Sequence, residues 1–84
     1  MPTISIFYGI RVFMYQTKKE HKPPHIHAEY SGYEAIFRIS DGVLIGGKLP
    51  NRAIAMVKEF IKKYRKELIQ MWESGTYTKL EGLN

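Results

Sequence analysis

Two segments of alternating side chains, residues 25–30 (HIHAEY) and 33–39 (YEAIFRI), stand only Ser31-Gly32 apart, and this spacing constrains the chain more than any other feature. A two-residue connection between β-prone segments dictates an antiparallel hairpin, and its glycine supplies the positive φ that such turns need. The turn also sets the register: Tyr30 faces Tyr33, Glu29 faces Glu34, His27 faces Ile36 and His25 faces Arg38. Since alternate residues share a face, His25, His27, Glu29, Glu34 and Arg38 are expected together on one side. Ile26, Ala28 and Tyr30 fall on the other side, which reads as core.

Strand-like sequence also precedes the hairpin, with Ile4, Phe7 and Tyr8 leading through a turn at Tyr8-Gly9 into residues 10–15 (IRVFMY). Residues 16–24 are polar and end in Pro23-Pro24, a loop with a stiff exit. Asp41-Gly42 reads as a second hairpin turn, and Gly46-Gly47 as a turn before a helix in which Pro50 and Asn51 supply first-turn and cap chemistry. In that helix, from about residue 51 to 73, Ala53, Val57, Phe60, Ile61, Tyr64, Leu68, Met71 and Trp72 recur at three- and four-residue spacing. Gly75 stops it, and residues 76–84 form a tail that either adds a short strand around residues 77–80 or stays mobile. The predicted fold is α+β, in which an antiparallel meander of four or five strands carries one long C-terminal amphipathic helix on one face. One domain spans residues 1–75, and the His face is left open to a partner.

The chain has 84 residues, so its core is thin, burying only about 60–65% of the surface that the unfolded chain exposes. A second copy completing a homodimer is therefore an expectation. No cysteine is present, which excludes disulfides, a thiolate nucleophile and cysteine-held zinc, and suits the cytoplasm. Ser5, Gly9 and Arg11 interrupt the apolar stretch of residues 4–15, so neither a signal peptide nor a membrane span is expected. Thirteen Lys and Arg against eight Asp and Glu give a net charge of +5, which favours nucleic acid or an acidic protein as partner.

Three readings compete for the polar face. Glu29 opposite Glu34 calls for a cation, which Arg11, Lys22, a protonated histidine or a metal ion would supply. His21, His25 and His27 can converge on zinc or another divalent ion, with Glu29 or Glu34 assisting, in a structural or hydrolytic site. Without metal, two imidazoles with Lys22, Arg38 and Tyr15 would suit acid and base catalysis on a phosphodiester. The architectural alternative has the imidazoles hydrogen bonding to the loop before the diproline; His25→Ala and His27→Ala then cost stability rather than binding. Lys58, Lys62, Lys63, Arg65 and Lys66 are read first as a solvated helix face interleaved with Glu59 and Glu67, and phosphate contact is the alternative. Tyr8, Tyr15, Tyr30, Tyr33, Phe13 and Phe37 suit core or cross-strand packing before base stacking.

The segment PPHIHAEY at residues 23–30, with residues 4–10 (ISIFYGI), Tyr33-Glu34-Ala35 and residues 47–53 (GKLPNRA), resembles the small bacterial proteins of domain-of-unknown-function family 4160. His21 matches a histidine that commonly stands shortly before the signature, and the resemblance runs from about residue 1 to 72. Ile6 stands where the family often has Arg, and Phe60 and Tyr64 where it often has Trp and His. The resemblance implies half of a two-gene toxin–antitoxin or regulatory cassette, paired with a protein of domain-of-unknown-function family 2442. The leading functional expectation is thus a small cytoplasmic binding protein whose His25, His27, Glu29, Glu34 and Arg38 face and basic surface contact a partner protein or nucleic acid.

Overall fold

The computed structural model describes residues 3–14 and 23–83. Five strands, β1 (Thr3–Phe7), β2 (Ile10–Phe13), β3 (His25–Tyr30), β4 (Tyr33–Arg38) and β5 (Leu44–Gly47), precede one helix, α1 (Asn51–Ser74). The strands form one antiparallel sheet in sequence order, with β3 at its centre. This is the α+β meander that the turn spacing predicts.

Both tight turns adopt left-handed backbone at two successive residues: Tyr8 (φ 50°) with Gly9 (φ 79°), and Ser31 (φ 48°) with Gly32 (φ 84°). That geometry twists a two-residue hairpin in the sense of its strands. The β3–β4 register is the one expected, from Tyr30 opposite Tyr33 to His25 opposite Arg38. At Asp41-Gly42 the connection is longer, closed by Gly42 N–H donating to Arg38 O at 2.8 Å and Arg38 N–H donating to Val43 O at 2.9 Å.

The core lies between one sheet face and α1. Phe7, Ile10, Val12, Ile26, Ala28, Ala35 and Phe37 meet Ala53, Val57, Phe60, Ile61, Leu68 and Met71 of the helix, all buried. Phe7 and Phe60 stack with ring centroids 5.1 Å apart. In β1 an irregularity between Thr3 and Ser5 breaks the alternation, so Ile4 and Ser5 are both buried while Ile6 opposite Arg11 is exposed. Tyr64 and Trp72, expected in the helix core, are half-buried, and Tyr64 departs from helical backbone (φ −116°, ψ 19°).

Two local expectations are corrected. Pro50 itself occupies the cap position before α1 and no side chain caps the helix, so Asn51 is the first helical residue rather than the cap. Gly46 and Gly47 are not a free turn but the end of β5, paired with Ile36 and Ala35. At its other end α1 stops at Gly75, in left-handed conformation, whose N–H donates to Met71 O at 2.9 Å. The tail then runs back to β1, where Leu80 N–H donates to Ile4 O at 2.8 Å and Tyr77, Leu80 and Leu83 pack on the core. A single backbone bond does not make it a sixth strand. No helix among the described residues is long and apolar enough to cross a membrane.

Gly47 has φ 70°, and a Cβ there would run into the carbonyl oxygen of Glu34 and lie 2.9 Å from Ala35 Cα. Both the backbone angle and the close approach exclude a side chain. Gly47→Ala is expected to cost about 2 kcal/mol or more, lowering the melting temperature by roughly 10 °C, as thermal unfolding followed by circular dichroism would show.

Candidate functional site

The face of the sheet opposite Ile26 and Ala28 carries His25, His27 and Glu29 of the PPHIHAEY signature, and it is built in two halves. At one end, Glu29 and Glu34 are exposed and paired across the β3–β4 ladder. The cation their juxtaposition requires is Arg11, placed opposite Glu29 by the β2–β3 register, with Nη2 3.4 Å from Glu29 Oε2. Arg11 also donates to Thr3 Oγ1 at 3.2 Å and lies over the Phe13 ring, 4.5 Å from its centroid. With both Arg11 and Glu29 substantially exposed, the ion pair contributes about 1 kcal/mol at most. Its larger effect is to neutralise the like-charge pair.

The other half is closed. His25 and His27 are 4% and 5% exposed, so the expectation of an open histidine face is overturned. A row of rings runs through the two histidines. Phe13 stacks on His27 at 5.1 Å, His27 meets the edge of His25 at 5.3 Å, and His25 lies 4.9 Å from Trp72 near the end of α1. Each such contact is worth about 0.5–1.5 kcal/mol beyond the area it buries. The row ties β2, β3 and α1 together across the end of the sheet.

His25 Nδ1 lies 2.9 Å from the carbonyl oxygen of Pro23. A carbonyl only accepts, so Nδ1 carries a proton and donates. The bond joins His25 to the first proline of the signature, and Ile39 N–H binds the second through Pro24 O at 3.0 Å. The prolines therefore hold the entry to β3 against the end of β4.

Arg38 lies opposite His25 in register, but its guanidinium turns to the β4–β5 turn. Nε and Nη2 donate to the two Asp41 carboxylate oxygens at 2.9 and 2.6 Å, and Val43 N–H donates to Oδ1 at 3.1 Å. Arg38 is thus occupied within the turn rather than grouped with the histidines. His21, Lys22 and Tyr15, proposed for the metal or phosphodiester chemistry, lie outside the described residues. Among the described residues no group of three His, Asp or Glu side chains is placed to hold a metal ion.

Two features escaped the reading of single segments. The Phe13 and Arg11 contacts depend on the β2–β3 register, which pairs segments more than ten positions apart in sequence and is not fixed by a two-residue turn. Trp72 reaches His25 from almost fifty positions away. Elsewhere, a shallow depression of about 540 Å³ on α1 is lined by Lys62, Lys63, Arg65, Lys66, Ile69 and Gln70. Four cations border it and no carboxylate does. Glu59 and Glu67, expected to interleave these cations, are not among its walls.

The Arg38 hydrogen bonds, with Val43 N–H assisting, hold the Asp41 carboxyl down at about 2, below the ordinary 3.8. A depressed carboxylate stabilises the fold fully above its unfolded value, and that contribution is lost as pH falls through about 2. Carboxyl-detected NMR titration should place the Asp41 midpoint near 2, and Arg38→Gln should return it toward 3.8 while other carboxyls keep theirs.

No curated protein and no solved structure matches the chain significantly. A family model does, over residues 9–73, and that span contains β2 to β5, both prolines and histidines of the signature and nearly all of α1. The chain belongs to the family described as Domain of unknown function (DUF4160).

Proposed function

We propose that this protein is a binding module of a two-gene regulatory or toxin–antitoxin pair, and that it holds nucleic acid through phosphate contacts on α1. The cassette part rests on the family resemblance. The nucleic-acid part rests on one observation: the depression walled by Lys62, Lys63, Arg65 and Lys66 without a carboxylate. Among the described residues the ion pairs are Arg11 with Glu29 and Arg38 with Asp41, so these helix cations are not spent on neighbouring acids. Arg65 is braced by Nε donating to Ile39 O at 2.9 Å, which fixes one guanidinium at the rim. Lys63 is exposed, and its Nζ lies 5.1 Å from the Tyr64 ring centroid. A net charge of +5 adds long-range attraction for a polyanion.

A divalent metal bound by His25 and His27 with His21 remains a second reading, favoured by the proton on His25 Nδ1. An imidazole that ligates through one nitrogen commonly donates its other N–H to a backbone carbonyl, as His25 does to Pro23. Glu29 is engaged by Arg11, which weakens its candidacy as a further ligand.

Binding of fluorescent duplex DNA, measured by anisotropy across a salt series with and without chelator, separates the two. Phosphate contact by three or four cations predicts a slope of log affinity on log salt of about −3, with no effect of chelator. Lys62→Gln, Lys63→Gln and Lys66→Gln together should flatten the slope by about 2 to 3 and leave the melting temperature nearly unchanged. A flat salt dependence, or binding abolished by chelator alone, would reject the phosphate reading.

A further inference from the structure

At the start of α1, on a flank away from the basic depression, a cavity of about 310 Å³ opens between the β1–β2 turn and the helix. Tyr8, Ile10, Tyr30 and Met56 form its apolar walls and Arg52 its cationic one. A second hollow of about 410 Å³ shares Pro50 with it and adds Tyr33 and Lys48. Three tyrosines and two cations therefore meet around Pro50, and no carboxylate lines either hollow.

Tyr30 packs against the core, but core packing does not account for the exposed Tyr8 and Tyr33 beside it. Tyr8 is an aromatic residue at φ 50°, in a turn position that Asn or Gly occupies at less cost, and it is 60% exposed. Its ring meets the edge of Phe7 at 6.5 Å. A Cβ at Gly9 would lie 3.3 Å from Tyr30 Cε1, so the Tyr30 ring rests on the same turn that presents Tyr8. Tyr33, the cross-strand partner of Tyr30, is 43% exposed. Arg52 and Lys48 make no ion pair among the described residues.

Exposed aromatic faces beside unpaired cations are the chemistry that holds an unstacked base and its phosphate. The cavity lies at the lower end of the size range of small-ligand sites, enough for one nucleotide unit. We infer that Tyr8, Tyr30 and Arg52 form a site for a single nucleotide, the base stacking on the tyrosines and the phosphate meeting Arg52. The site goes beyond the phosphate contacts of the basic depression and shares no residue with it. Its ligand comes either as a free nucleotide or as one unit of a single strand.

The test is NMR titration of the labelled full chain, first with adenosine monophosphate and then with a short single-stranded oligothymidylate. Shifts are expected at Tyr8, Gly9, Tyr30 and Arg52. Tyr8→Asn, which suits the left-handed turn, and Arg52→Gln, on the exposed helix surface, should each weaken binding about tenfold without lowering the melting temperature. Shifts with the mononucleotide identify a free nucleotide as source, and shifts with the oligonucleotide alone identify a strand. No shift at these residues with either probe, or unchanged affinity in both variants, overturns the proposal. Because both variants leave Lys62, Lys63 and Lys66 in place, duplex binding by the depression is read separately, so one proposal can fail while the other stands.

Discussion

The register imposed by the Ser31-Gly32 turn is the constraint on which the remainder of the structure depends. Its two left-handed residues pair all six positions of β3 with β4, and β3 is the central strand. A slip of one residue would turn His25, His27 and Glu29 toward α1 and Ile26 and Ala28 away from it. Buried charge would then replace apolar packing at the middle of an already thin core. β2 reads its own position from β3, since Arg11 finds Glu29 and Phe13 finds His27 only in the observed alignment.

From that alignment follows a division of labour on the sheet face that α1 does not cover. At the open end Arg11 answers Glu29, and at the other end of the ladder Arg38 is drawn off to Asp41. At the closed end, Phe13, His27, His25 and Trp72 make a row of rings, and the His25 bond to Pro23 anchors it to the entry of β3. The PPHIHAEY signature thus works as a clamp between the sheet, the entry to β3 and the end of α1. Among the described residues, the cations of α1 and those around Pro50 make no ion pair, and these are the surfaces proposed above to meet a polyanion.

Much of this is legible in the sequence. Two-residue turns carry their geometry in the residues themselves, so both tight hairpins and the β3–β4 register follow from Tyr8-Gly9 and Ser31-Gly32. The helix followed from spacing alone, because Val57, Phe60, Ile61 and Leu68 fall on one side of any regular helix. Alternation, however, assigns a face and says nothing about what covers it. His25 and His27 share their face with Glu29, yet they are buried, and Phe13 and Trp72 come to them through tertiary contacts that no local pattern encodes. Gly47 misled for a related reason. A glycine doublet reads as a turn, whereas here it ends a strand pressed against the Glu34 carbonyl. The basic depression was hidden by composition, since Glu59 and Glu67 interleave the lysines in sequence but do not line that hollow.

The central claim is that the signature histidines build the fold while the binding surface lies on α1. One measurement tests it directly: imidazole and amide resonances followed together by ¹⁵N NMR during titration with duplex DNA at low salt. The account predicts His25 as the Nδ1–H tautomer throughout, both imidazoles unshifted, and the first amide shifts at Lys62, Lys63, Arg65 and Lys66. Early shifts of the His25 and His27 ring nitrogens, with the helix amides unmoved, would contradict it.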